Sequence, residues 1–163
     1  MYKSILSKSS IKFLEKYINN PSPTGFESEG QKLWLNYIKP YIDEYTVDTY
    51  GNVAAIINPS AKYKVVIEAH ADEISWFVHY ITSDGFIYLR RNGGSDHQIA
   101  PSKRVNIHTK EGIVKAVFGW PAIHTRRGGV KEESPKTDNI FLDCGCGSKE
   151  EVEALGIHVG CVV

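Results

Sequence analysis

The sequence predicts a chain of the α/β fold class in two parts, and two observations carry this prediction. The first 70 residues pattern as two amphipathic helices followed by three short strands, which is typical of the opening of an α/β domain. From Ile74 onward the chain shows closely spaced short strands with turn signals and no long helix. This second pattern favours a small barrel or sandwich.

Two helical patterns open the chain. Ser9 or Ser10 can cap the first helix, and Pro21 follows its end. The second begins near Ser28 and ends or bends at Pro40. Apolar residues recur at helical spacing in both, so both helices are expected to pack against a core. These residues are Ile11, Leu14, Tyr17 and Ile18 in the first helix, and Leu33, Trp34, Tyr37, Ile38 and Tyr41 in the second.

The strand patterns are short and separated by turn residues. Those of the first part are Glu44–Asp48, Val53–Ile57 and Lys64–Ile67, and those of the second are Ile74–Ile81, Phe86–Arg90, Val105–Thr109, Ile113–Gly119 and Asn139–Asp143. Lys64–Ile67 is rich in β-branched residues and predicts a strand buried on both faces. Ser148 and Glu151 have the spacing of a capping box before a short helix that Gly156 ends. The polar stretch Arg126–Asp138 predicts an exposed loop in which Arg126 and Arg127 are solvated.

Composition excludes several function classes. The 163 residues contain 19 Lys+Arg and 19 Asp+Glu, so no overall basic charge would attract nucleic acid or an anionic membrane. No apolar run approaches the roughly 20 residues that span a bilayer. The N-terminus lacks the apolar core and cleavage site of a signal peptide. We therefore expect a soluble cytoplasmic protein.

The number and spacing of the three cysteines do not indicate a disulfide framework. Their number is odd, and Cys144 and Cys146 are spaced CxC rather than CxxC. Two interpretations remain open: a Cys/Cys/His zinc site that includes His158, or reduced cysteines that lie near one another. The second is favoured.

A histidine and three carboxylates lie between two apolar runs, in Glu68–Glu73. Acidic groups seldom approach a core unless they are paired or bind a metal. His70 and Asp72 are two residues apart, so in an extended segment they point to the same side. One could ligate a metal while the other orients the ligand. A strand end where charges meet solvent is the alternative, and a single HxD match favours it slightly.

Several short motifs follow one another in a fixed order along the chain. They are Pro21–Glu27 (PSPTGFE), Asp48–Asn52 (DTYGN), Ala69–Ile74 (AHADEI), Gly93-Gly94, Gly119–His124 (GWPAIH) and the Asp143–Ile157 tail. This order resembles the glutamyl and deblocking aminopeptidases that form tetrahedral particles, some of which carry the label endoglucanase. The resemblance runs from about Pro21 to Val159.

The resemblance implies a fold and a domain organisation. In that family an α/β catalytic domain carries an inserted, β-barrel-like dimerisation domain soon after the histidine motif. Residues 1–72 would then be the N-terminal part of the metallopeptidase catalytic domain. Residues 73–163 would be the β-barrel-like dimerisation domain, running back toward the remainder of the catalytic domain. Homo-oligomers would form through the barrel.

The resemblance also implies a chemistry and a site. The family consists of metallopeptidases with two co-catalytic divalent metal ions, zinc or cobalt, that hydrolyse N-terminal residues from peptides. His70 matches the first metal ligand, and Asp72 matches the catalytic acidic residue that supports this ligand. The bridging aspartate, the catalytic glutamate and the other ligands of the family lie downstream of the inserted domain. This chain alone is therefore expected to be inactive and unable to hold both ions.

A second function of a different class stays open. The chain could be a non-catalytic oligomerisation or interaction module derived from the same family. Incomplete sheets leave strand edges unpaired, and such edges favour self-association.

Overall fold

The computed structural model describes residues 6–125 and 134–163. The chain divides into two compact units, Met1–Glu73 and Ile74–Val163. The predicted solvated pair, Arg126 and Arg127, lies outside the described residues. Within the described residues, no helix combines the length and the apolar composition needed to cross a membrane.

From residue 6 onward, the first unit contains two α-helices and a two-stranded antiparallel sheet. Helix α1 spans Lys8–Ile18, helix α2 spans Ser28–Ile38, strand β1 spans Glu44–Val47 and strand β2 spans Val53–Ile56. A short 3-10 turn, Lys39–Tyr41, follows α2 where Pro40 was expected to end or bend it.

The predicted cap of the first helix is wrong by two or three positions. Ser7, not Ser9 or Ser10, is the N-cap, and its hydroxyl accepts a hydrogen bond from the Ser10 backbone N–H at 3.1 Å. The serines that follow Ser7 have helical backbone geometry, so they cannot take the extended conformation of a cap.

Asp48 shapes the turn between β1 and β2. Its carboxylate accepts hydrogen bonds from the backbone N–H groups of Tyr50 and Asn52 and from the Asn52 side chain. Gly51 has a positive φ of 86°, which glycine adopts without a Cβ penalty. The DTYGN motif therefore builds a hairpin turn.

The predicted third strand of this unit is wrong. Residues 65–72 have no regular secondary structure, and Val65, Val66 and Ile67 are 73%, 83% and 95% exposed. A β-branched run becomes a strand only when a neighbouring strand accepts its backbone hydrogen bonds. In the described residues of this unit, β1 and β2 pair only with each other.

The apolar helix faces are also more exposed than predicted. No residue of α1 is buried, and in α2 only Gly30 is. Phe13 stacks on Tyr37 with ring centroids 3.9 Å apart, so the helices do contact one another. Two helices and a two-stranded sheet offer too little apolar surface to enclose these faces.

In its described residues, the second unit contains a five-stranded antiparallel sheet, a short α-helix and a 3-10 turn, Ile123–Thr125. Its strands are β3 (Ser75–Ile81), β4 (Ile87–Asn92), β5 (Arg104–His108), β6 (Ile113–Gly119) and β7 (Phe141–Asp143), and its helix is α3 (Lys149–Ala154). The strand order is β3-β4-β7-β6-β5. Ser148 caps α3 as predicted, because its hydroxyl accepts from the Glu151 N–H. The Glu151 carboxylate accepts from the Gly147 N–H, one residue before the expected partner.

The C-terminal residues bridge the two edges of this sheet. Trp76 and Val163 exchange backbone hydrogen bonds of 3.0 and 2.9 Å on the β3 side. On the β5 side, the His108 N–H donates to the Val162 carbonyl at 2.8 Å. Residues 161–163 therefore satisfy backbone groups of both edge strands, and the sheet curls around its core.

The core of the second unit lies inside this curled sheet. Ile87, Ile107, Ile140 and Leu142 are fully buried. Val152 of α3 and Ile157 belong to the same cluster. In β6 the buried residues Ala116 and Phe118 are two positions apart, as the period of two requires.

Candidate functional site

His70 and Asp72 are brought together as the sequence predicted. The His70 Nδ1 atom lies 3.0 Å from Asp72 Oδ1 and 2.9 Å from the Asp72 backbone oxygen. The His70 side chain is 86% exposed and that of Asp72 is 36% exposed. The pair therefore forms an accessible imidazole–carboxylate contact within an extended segment.

The hydrogen-bond pattern assigns the tautomer of the His70 ring. Both groups that face Nδ1 are oxygens that only accept, so in the neutral ring the proton lies on Nδ1. The lone pair then lies on Nε2. A carboxylate bonded to one ring nitrogen while the other is left for a metal is the arrangement of carboxylate–histidine–metal sites.

Thr24 holds the other oxygen of the Asp72 carboxylate. Its hydroxyl donates to Asp72 Oδ2 at 2.6 Å. The hydrogen bonds from Thr24 and then from His70 hold the pKa of Asp72 below its usual range. Asp72 is therefore an anion at neutral pH. One of its carboxylate oxygens is hydrogen-bonded to Thr24 and the other to His70.

Glu73 fixes the segment against the Pro21–Glu27 loop. Its carboxylate accepts from the Ser22 backbone N–H at 2.7 Å, and its own N–H donates to the Ser22 carbonyl at 2.9 Å. Pro23 and Glu73 also form an isolated parallel bridge. The turn-rich loop is thus the scaffold that positions Asp72.

Sequence reasoning missed the roles of Thr24, Ser22 and Glu73. Thr24 and Asp72 are 48 positions apart, and Ser22 and Glu73 are 51 apart. One sequence signal could have connected these residues: the Pro21–Glu27 and Ala69–Ile74 motifs both belong to the set of motifs that resembles the family.

Of the described residues, no three His, Cys, Asp or Glu side chains come close enough to hold a metal ion together. His79, His124 and His158 are exposed at other places in the chain. The residues present thus fit one imidazole ligand and its supporting carboxylate. They do not fit a full metal shell, since a catalytic zinc takes three protein ligands and a water.

Comparison with known proteins places the chain in a family. The family model of the M42 glutamyl aminopeptidases matches residues 51–163. The chain belongs to the M42 glutamyl aminopeptidase family. Within this M42 chain the match covers the Asp72 segment and all of the second unit.

Several relatives of the M42 chain are named aminopeptidases or peptidases. The chain is 32% identical to the lysyl aminopeptidase of Pyrococcus furiosus over 152 residues, which are 91% of this chain and 43% of that protein. A crystal structure of a TET aminopeptidase from the archaeon Thaumarchaeota archaeon SCGC AB-539-E09 has a TM-score of 0.89 at 27% identity, covering 94% of this chain and 43% of the other. The TET1 peptidase of Pyrococcus horikoshii has a TM-score of 0.77 at 28% identity, over 94% and 46% of the two chains. That peptidase can assemble into a tetrahedron or a large octahedral shell.

The M42 chain thus spans less than half the length of the relatives it matches. The likeness extends through both units, because each comparison covers more than nine tenths of this chain. The fold of the family is mixed helix and sheet, and the described units share it.

Proposed function

We propose that this chain supplies the N-terminal part of a metal-dependent aminopeptidase that removes N-terminal residues from peptides. The observation that carries this proposal is the His70–Asp72 pair, in which the ring proton lies on Nδ1. The pair occurs in a chain of the M42 family. The exposed Nε2 atom is then available to a divalent ion. Zinc or cobalt suits an imidazole ligand.

Each residue of the segment has a separate role in this proposal. His70 is the metal ligand. Asp72 orients the imidazole and raises its basicity, and its negative charge favours a cation at Nε2. Thr24 and Glu73 position Asp72 through the Pro21–Glu27 loop. When bound, a pair of divalent ions supplies water activation and polarisation of the scissile carbonyl.

We propose that the remaining ligands and the general base come from polypeptide outside residues 1–163. The exposed run at Val65, Val66 and Ile67 supports this proposal. Apolar β-branched side chains in an extended segment are normally covered by a neighbouring strand. Taken alone, the chain is proposed to be inactive and unable to hold two ions.

The two units support a domain assignment, which we also propose. Residues 1–72 would be the first part of the catalytic domain, and residues 73–163 a β-barrel-like domain. The compact unit Ile74–Val163, with its edges bridged by the C-terminal residues, supports the second assignment. A cytoplasmic location is proposed from the balanced charge and from peptide substrates.

A chimera tests the proposed activity. The aligned region of the Pyrococcus furiosus lysyl aminopeptidase is replaced by this chain, and hydrolysis of lysyl-nitroanilide is measured with added zinc or cobalt. The H70Q chimera is expected to lose turnover by at least about 100-fold, because the imidazole that binds the metal directly is lost. The H79Q chimera is the matched control, since His79 is an exposed histidine of the second unit.

Two results would contradict the proposal. One is a folded, metal-loaded chimera that gives no turnover, when the parent peptidase is active under the same conditions. The other is an H70Q chimera as active as the H79Q control. Circular dichroism and metal content of each variant separate these results from misfolding.

A specific surface supports self-association as a second proposed function. Ile113, Lys115 and Val117 share one face of β6, and Ile113 and Val117 are 57% and 42% exposed. Val117 and Phe86 also line the same groove. We propose that this face joins copies of the chain. A strictly monomeric, folded species in light scattering at high concentration would contradict it, and V117D should lower the measured mass.

A further inference from the structure

Three residues lie side by side across strands β5, β6 and β7. Arg104 of β5 is paired with Val117 of β6, and Val117 is in turn paired with Asp143 of β7. Directly paired residues of an antiparallel sheet lie on the same face. Arg104, Val117 and Asp143 therefore form one row, in which an apolar residue separates a positive charge from a negative charge.

This row lies on the solvent side of the sheet. All three residues are exposed and line the same groove. Phe118, the next residue of β6, is only 3% exposed and belongs to the core cluster. Because successive residues of a strand point to opposite faces, the row is turned away from that core.

Both charges of the row are available to a partner. In the part of the chain that the structure describes, neither Arg104 nor Asp143 forms an ion pair. Asp143 Oδ1 accepts a hydrogen bond from the Gly145 N–H at 2.8 Å, which leaves Oδ2 for another donor. A guanidinium group is the donor that fits a carboxylate best in charge and shape.

The order of the charges makes the row complementary to itself about one axis. A two-fold axis that runs along β6, between two facing sheets, places Arg104 of each copy over Asp143 of the other. Val117 then faces Val117 of the second copy. A two-fold axis across the strands would instead place like charges over one another, which opposes association. The axis along β6 also keeps the strands of the two copies aligned, as in sheets that pack face to face.

Lys115 lies on the same face of β6 and is compatible with this axis. It would face Lys115 of the second copy, because β6 runs along the axis. Its Nζ donates to Asn106 Oδ1 at 2.6 Å, so the side chain leans toward β5. The two-fold rotation turns this lean to the opposite side in the second copy, and the two ammonium groups are thereby kept apart.

We propose that two copies of the chain pair through this row, with Arg104 of each copy bonded to Asp143 of the other and the two Val117 side chains in contact. Each copy supplies both charges, so the contact is isologous and contains two ion pairs. This inference rests on the proposed self-association through the β6 face, and it specifies the residues and the axis of that contact.

Reversal of the charges tests the pairing. The dimerisation of the full chain is measured by analytical ultracentrifugation over a range of concentrations. R104D and D143R each place like charges over one another, so each variant should dimerise at least about tenfold more weakly than wild type. The double variant R104D/D143R restores opposite charges and should dimerise as wild type does. R91D is the matched control and should also match wild type, since Arg91 lies on β4 and does not line the groove.

A mixture of the two single variants gives a second test. In the row, the R104D chain carries only negative charges and the D143R chain only positive ones. An equimolar mixture should therefore form a heterodimer with one chain of each kind, which native mass spectrometry detects. Near-ultraviolet circular dichroism establishes that each variant is folded.

Different results would overturn the pairing and the self-association on which it rests. A wild-type dimer that V117D dissociates, but that folded R104D and D143R leave intact, would overturn the pairing alone. So would an R104D variant that dimerises more strongly than wild type, because relief of repulsion indicates the axis across the strands. A strictly monomeric wild-type chain would overturn both.

Discussion

The Thr24 hydroxyl donates to the Asp72 carboxylate over 2.6 Å, while the other oxygen of that carboxylate faces His70. Thr24, which precedes Asp72 by 48 positions, and His70, which precedes it by two, thereby hold the Asp72 carboxylate between them. The orientation of the His70 ring depends on this contact, because Asp72 can hold the imidazole only while it is itself held.

Replacing Thr24 tests this dependence. T24V removes the hydroxyl without changing the shape of the side chain much, so the Asp72 side chain is expected to sample more than one rotamer. T24S keeps the donor and serves as the control. Three-bond couplings of the Asp72 β-protons, measured by NMR, report the rotamers. Couplings in T24V that match those of wild type and T24S would show that Thr24 does not position Asp72.

Asp48 predicts a pH dependence for the β1–β2 hairpin. Hydrogen bonds, first from the Asn52 side chain and then from the Asn52 backbone, hold the pKa of Asp48 below its usual range. Because the pKa of Asp48 is lower in the folded chain than in the unfolded chain, the ionised carboxylate stabilises the folded hairpin. This stabilisation is fully present above the unfolded-state pKa of about 3.9 and is lost as the pH falls through the folded-state pKa. D48A should therefore weaken protection of the Asn52 amide at pH 7, with a smaller difference at pH 3. An equal difference at both pH values would contradict the assignment, and D43A serves as the control carboxylate.

The exposed run at Val65–Ile67 predicts binding of an apolar dye. Ile67 is 95% exposed, so I67S should lower anilinonaphthalene sulfonate fluorescence while leaving the free energy of unfolding nearly unchanged. V159S alters an exposed valine of the second unit and is the control. A large fall in unfolding free energy in I67S would mean that the side chain is covered.

The core of the second unit predicts that two leucines contribute very differently to the free energy of unfolding. Leu142 is fully buried in β7, so L142A should lower the free energy of unfolding by about 2–5 kcal/mol. Leu155 is 40% exposed, and L155A should cost less than about 1 kcal/mol. Urea denaturation measures both. Equal costs would contradict the burial of the curled sheet.

Local patterns were enough to predict much of the second unit. The predicted strand Ile113–Gly119 has the bounds observed for β6, and Ser148 caps α3 as its spacing indicates. These features depend on alternation and on capping, which act over a few residues. The bridging of β3 and β5 by the C-terminal residues was not predicted, because it depends on the path of the whole unit.

The site was predicted only in part, for the same reason. The spacing of His70 and Asp72 placed both on one side of an extended segment, and they do contact one another. Their link to Thr24 and the anchoring of Glu73 by Ser22 join stretches far apart in the sequence. The predicted strand at Lys64–Ile67 was wrong, because residue type alone does not supply the strand that must pair with it.

Paramagnetic titration of the chain tests the central claim most directly. Co(II) is added while the six histidine rings are followed by NMR. We expect selective broadening of the His70 ring signals, greatest for the protons beside Nε2. H70Q should abolish the effect and D72A should weaken it. Broadening centred on another histidine, or spread evenly over all six, would contradict the claim that His70 is the metal ligand of this segment.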